Sequence, residues 1–70
     1  MTLSYDEISL IAMYKEKNRR DTVRRIAEMS VFLSPDQWEL IDLTEKTIKK
    51  LKAMSDSDFE NIDFDSCYDI

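Results

Sequence analysis

Glycine and histidine are absent from this chain, and proline and cysteine occur once each, as Pro35 and Cys67. Without glycine there is no Gly-rich phosphate loop and no dinucleotide-binding turn, because both need a backbone with no Cβ in close approach to phosphate. The tight Asn-Gly and Asp-Gly hairpin turns are missing for the same reason. Without histidine, one cysteine makes neither an internal disulfide nor a zinc site of the usual Cys/His kind. The commonest general base and the glycine-built oxyanion loops are also missing. Cys67 stands among Asp63, Asp65 and Asp69, whose charge disfavours a thiolate. These absences point away from an enzyme and toward a protein with no cofactor and no metal. DSDFENIDFDSC has alternating acids, but counted from Asp56 its sixth residue is Asn61 and its twelfth Cys67. An EF-hand needs Gly and Glu there.

Long hydrophobic runs are missing too. No uncharged run exceeds seven residues, as in Ile8–Tyr14, whereas a spanning helix needs about 20. With a lone thiol and no signal-peptide pattern, the expected location is the cytoplasm, with no membrane contact.

What is present favours helices. The chain has 70 residues, 36% of them charged and 43% apolar, enough for one small domain with a small core. Three stretches share the grammar of a stapled helix start: LSYDEI (3–8), LSPDQW (33–38) and MSDSDF (54–59). In each, a Ser is followed three residues later by Glu, Gln or Asp, with apolar residues on either side. This is the pattern of a capping box closed by a hydrophobic staple. Pro35 stands where a helix tolerates proline best, and a fourth start falls near Asn18 or Asp21.

The spacing predicts helices over about 4–17, 19–32, 35–54 and 56–63. Ile8, Ile11 and Ala12, with Tyr5 beside them, give the first an inner face. Val23, Ile26, Ala27 and Ser30 do so for the second. Leu40, Ile41, Thr44, Thr47, Ile48 and Leu51 follow the helical repeat of the third. Phe59 and Ile62 dock the fourth. Asp42–Lys46 and Glu45–Lys49 stand four apart with the acid first, the favourable order. The expected fold class is all-α: a small three-helix bundle with a short fourth helix, one domain over 1–63, then a frayed acidic tail over 64–70.

Two surfaces are candidates for function. Leu10, Met13 and Tyr14 fall outside the inner stripe of the first helix, and Trp38 opens the third. Such surplus apolar surface suits a protein partner. The stretch KEKNRRDTVRR (15–25) concentrates positive charge, and Arg19, Arg20, Arg24 and Arg25 could present guanidinium groups to nucleic-acid phosphate. Against that second reading, the net charge is −5, and dedicated nucleic-acid binders are usually basic. A helix-turn-helix is disfavoured by Asp36 and Glu39 at the head of the third helix, where they would repel phosphate. Residues 1–52 carry ten basic and nine acidic groups, while residues 53–70 carry six acidic groups and no basic one. The tail could therefore meet a basic partner or the chain's own basic stretch. Nothing in the sequence names the partner or the oligomeric state.

The pieces stand in a familiar order. Leu-Ser-Tyr-Asp-Glu (3–7) leads to Leu10-Ile11 and Tyr14. A basic stretch follows, then a long helix ending in Lys50-Leu51-Lys52-Ala53-Met54. The close is Met54-Ser55-Asp56-Ser57-Asp58-Phe59 with Ile62-Asp63. Over nearly its whole length the chain resembles the transposon-transfer assisting proteins, small proteins of bacterial conjugative transposons. The resemblance implies a helical cytoplasmic protein with an accessory role in mobile-element transfer. It brings no active-site residues.

Overall fold

The computed structural model describes residues 3–62 and 64. Cys67 and the acidic tail apart from Phe64 lie outside the described residues. The order is α1 (Tyr5–Tyr14), α2 (Arg19–Ser30), α3 (Trp38–Ala53) and α4 (Asp56–Glu60), an all-α bundle in which α3 packs on both α1 and α2. Each helix is shorter than the periodicity predicts, because the flanking residues serve as caps and turns.

The first start is as the sequence specifies. Ser4 N–H donates to Glu7 Oε1 at 2.8 Å, and Glu7 N–H donates to Ser4 Oγ at 3.2 Å, closing the capping box. Asn18 caps α2, its Oδ1 accepting the Asp21 N–H at 2.8 Å. Ser55 caps α4, its Oγ accepting the Asp58 N–H at 3.0 Å.

The middle start differs. Gln37 N–H donates to the Ser34 carbonyl at 2.9 Å, which makes residues 34–37 a separate turn. Gln37 itself stands at the N-cap of α3, with no side-chain capping bond. Ser-Pro-Asp-Gln is as good a type I turn as a helix start, since Pro at the second position presets the same φ. Only half the expected box survives, with Ser34 N–H donating to Gln37 Oε1 at 2.9 Å. The Ser34 hydroxyl donates to the Asp36 carboxylate instead, and this bond holds the Asp36 carboxyl below its usual range.

Among the described residues none takes a positive φ. A chain without glycine has no cheap left-handed C-cap, and its helices end by other means. At the end of α3, Arg19 Nη1 donates to the Leu51 carbonyl at 2.9 Å, satisfying an acceptor the helix leaves open. After α1, Glu16 N–H donates to Thr22 Oγ1, which in turn donates to the Asn18 carbonyl, and the corner into α2 is fixed.

Ile11, Ile26, Leu51, Met54 and Phe59 form the core, with Leu3, Tyr14, Val23, Met29, Ile48, Ile62 and Phe64 packed around it. Phe59 and Ile62 thus dock the α4 end of the chain as expected. The α3 face also agrees: Thr44, Thr47 and Leu51 are buried, and Leu40, Ile41 and Ile48 are half-buried. On α2 the inner position next to Ile26 is Thr22, while Ala27 is exposed. On α1 the buried residues are Glu7, Leu10 and Ile11, and Tyr5 is mostly exposed. The predicted Asp42–Lys46 pair forms at 3.0 Å on the exposed side of α3.

Candidate interaction surface

Of the buried polar residues, Glu7, Thr22 and Thr47 are occupied with holding the fold. Glu7, whose side chain is only 4% exposed, accepts from Lys50 Nζ at 2.7 Å as well as from Ser4. Burial alone would push its carboxyl up. The Lys50 ammonium and the Ser4 amide and hydroxyl outweigh that, and the group is held below its ordinary value. Thr47 Oγ1 donates to the Leu43 carbonyl. Thr44 Oγ1 is buried and has no hydrogen-bond partner among the described residues. Among the described residues no cluster of His, Cys, Asp or Glu is arranged to hold a metal ion. No described helix is long and apolar enough to cross a membrane.

The four apolar candidates separate. Leu10 is buried, so it belongs to the packed face of α1 and is not available to a partner. Tyr14 is half-buried against the core. Met13 and Trp38 stand in water, 72% and 66% exposed. Two further residues are more exposed still: Val31 at 76% and Phe32 at 86%, at the corner where α2 ends. Both fall at the end of the helix that the spacing predicts over 19–32, where the periodicity gives them no surface role. The available signal was the run Val31-Phe32-Leu33 before Ser34, where only one residue can close a staple.

Phe32 is the rim of a shallow groove of about 280 Å³, lined also by Tyr14, Met29, Arg25 and Glu28. Its apolar wall is thus built from the end of α1 and the last turn of α2. The other rim is charged. A second groove of about 260 Å³ continues along α2 and shares Arg25 and Glu28 with the first, adding Glu16, Asp21 and Arg24.

The four arginines separate as well. Arg19 is tied to the Leu51 carbonyl, and its Nε meets Asp56 Oδ1 at 2.9 Å. It is a fastener between α2, the end of α3 and the start of α4, and not a free phosphate ligand. Arg20, Arg24 and Arg25 are exposed. Three acids line the groove that holds Arg24 and Arg25, so the local surface is of mixed sign. Lys15 lies over the Phe64 ring at 5.0 Å, a cation–π contact that brings residue 64 to the end of α1.

Searches among curated proteins and among solved structures return no match. A family model described as "Putative transposon-transfer assisting protein" matches residues 3–65, which is most of the chain. The matched span takes in all four helices and both grooves, and the chain belongs to this family of transposon-transfer assisting proteins.

Proposed function

We propose that the chain is a non-enzymatic accessory protein of a mobile element, working in the bacterial cytoplasm. On this reading it assists transfer of a conjugative transposon by binding a protein partner. The observation that carries it is the apolar surface left in water by a domain this small: Met13, Val31, Phe32 and Trp38, with the groove beside Phe32. Burying one such side chain is worth about 1.5–3 kcal/mol, and large aromatic anchors dominate protein contacts. The non-enzymatic part is supported by a chain without histidine or glycine. Its one buried carboxylate, among the described residues, is committed to an ion pair. The transfer role follows the family.

The alternative is a nucleic-acid accessory factor using the Arg-rich segment 15–25. Exposed Arg20, Arg24 and Arg25 favour it; the engagement of Arg19 and the acids beside Arg24 and Arg25 weigh against it. Transfer frequency in cells carrying the transposon separates the two. Phe32→Ser with Trp38→Ala should lower transfer at least 10-fold while the purified variant keeps its helical spectrum. Arg20→Gln with Arg24→Gln should leave transfer within 2-fold. The reverse pattern, with salt-sensitive DNA binding by the purified protein, would put the arginine reading first.

A further inference from the structure

Residues 65–70, DSCYDI, lie outside the described residues, but the structure fixes where that segment sets out. Phe64 is half-buried and packs against the core, and the Lys15 ammonium stands 5.0 Å from the centre of its ring. Lys15 directly follows Tyr14, which is a wall of the groove of about 280 Å³ beside Phe32. The segment therefore starts close to that groove. The other undescribed stretch at an end of the chain, Met1 and Thr2, adjoins the opposite end of α1. Six extended residues reach about 20 Å, and Arg25 to Phe32 covers about 10 Å of helix rise. Charge then chooses between the two grooves. The segment carries Asp65 and Asp69 and no basic group. The groove along α2 sets Glu16, Asp21 and Glu28 against Arg24 and Arg25, and its excess of acids opposes such an occupant. The Phe32 groove has one charge of each sign, Arg25 and Glu28, and its other walls are Tyr14, Met29 and Phe32. It selects an occupant by apolar fit, with one cation for an acid at its rim.

We infer that residues 65–70 occupy the groove beside Phe32, with Tyr68 and Ile70 on its apolar walls and Asp69 toward Arg25. In an extended segment Tyr68 and Ile70 share one side, and Asp65, Cys67 and Asp69 share the other. The apolar pair thus enters the groove, while the acids and the thiol stay at its mouth. The tether matters as much as the contact. A short linker gives an effective concentration of order millimolar, so a contact too weak for a separate peptide is populated within one chain. The segment then covers Phe32, and a protein partner reaches this face only by displacing it. That consequence rests on the partner-binding reading; the docking itself does not.

Cys67 is the chain's one cysteine and gives the test its handle. A nitroxide attached there, in the purified full chain at micromolar concentration, broadens the amide resonances of residues near it. Those of Tyr14 and of residues 29–32 should lose at least half their intensity relative to the reduced label. Tyr68→Ser and Phe32→Ser should each cut that broadening at least 2-fold. Phe32 is 86% exposed, so its replacement leaves the core intact. Arg25→Glu should also cut it, whereas Glu28→Gln should not. Broadening no stronger at these amides than elsewhere in the chain overturns the inference. So does broadening that survives both Tyr68→Ser and Phe32→Ser. A nitroxide-bearing chain mixed with an isotope-enriched, unlabelled one should leave the enriched chain sharp; broadening there means that a second copy supplies the segment, which also overturns it. If docking fails while Phe32→Ser with Trp38→Ala still lowers transfer, the groove serves a different protein and the wider reading stands. If docking holds and transfer does not move, the wider reading falls alone.

Discussion

Removing the charge of Glu7 should cost far more than any other single acid in the described chain. The carboxylate is buried, and one oxygen accepts both the Ser4 N–H and the Lys50 ammonium. Glu7→Gln keeps the shape and an oxygen for Ser4, but turns a charge-assisted bond into a neutral one. Bonds to charged groups contribute about 1.5–3 kcal/mol and neutral ones about 0.5–1.5, so the expected loss is about 1–2 kcal/mol. In a domain of this size that lowers Tm by roughly 5–15 °C. Lys50→Met leaves the carboxylate buried with only Ser4 as donor. Cutting one partner of a buried pair costs about 3–5 kcal/mol. The Lys50 side chain is 34% exposed, so water recovers part of that, and about 2 kcal/mol is expected. The double variant should fall short of the sum by about 1 kcal/mol, the coupling of the pair. The pH dependence has a definite sign. The folded value of Glu7 lies below its ordinary 4.5, so its contribution is complete above that pH. It is lost as pH falls through the folded value. The gap between the parent and Glu7→Gln should therefore be widest near pH 7 and close on acidification. Circular-dichroism melts from pH 7 to pH 3 measure it. A gap under 0.5 kcal/mol at pH 7, or one that stays constant down to pH 3, would refute the argument.

Six other substitutions have definite outcomes. Arg19→Met should cost about 1–2 kcal/mol in a urea melt because the Leu51 carbonyl loses a charged donor. Asp56→Asn should cost under about 0.5 kcal/mol, because that carboxylate is 79% exposed. Thr44→Val should be neutral or stabilising by up to about 1 kcal/mol, since it replaces by a methyl a buried hydroxyl that has no partner among the described residues; a loss above 1 kcal/mol would mean the hydroxyl is satisfied. Ser4→Ala should cost about 1 kcal/mol as a true N-cap, and Ser34→Ala less than half of that, because Ser34 belongs to a turn before the helix. Phe59→Ala should cost about 3 kcal/mol and expose the chain near Met54 to limited proteolysis, since Phe59 is what seats α4 on the core.

The architecture was legible in the sequence because its signals are local. Ser4, Asn18 and Ser55 each mark a helix start that a side-chain oxygen caps in the structure. The apolar repeat of α3 from Leu40 to Leu51 selects the face that is half-buried or buried. Ser34 misled because a turn and an N-cap place the same residue types in the same order. Arg19 misled differently. Nothing local shows that Arg19 reaches a carbonyl 32 residues away, so that role exists only once α2 and α3 have packed. The exposure of Phe32 is not legible for a related reason. Whether an apolar residue at a helix end turns inward depends on where the next helix leaves, and here the 34–37 turn carries the chain away.

The least legible element is the rotation of α1, and it bears on the interaction surface. Its inward residues are Glu7, Leu10, Ile11 and Tyr14, a stripe at the helical i, i+3, i+4, i+7 spacing. A stripe that contains a glutamate is not read as an inner face, because an unpaired buried carboxylate is too costly. Choosing the all-apolar alternative Ile8, Ile11 and Ala12 puts Leu10 and Tyr14 outside. Lys50, on α3, removes that objection by supplying the counter-charge. The pair thereby permits the rotation that buries Leu10, turns Met13 to water and leans Tyr14 against α2 as a wall of the groove beside Phe32. An ion pair between α1 and α3 thus decides which apolar residues are core and which stand in water.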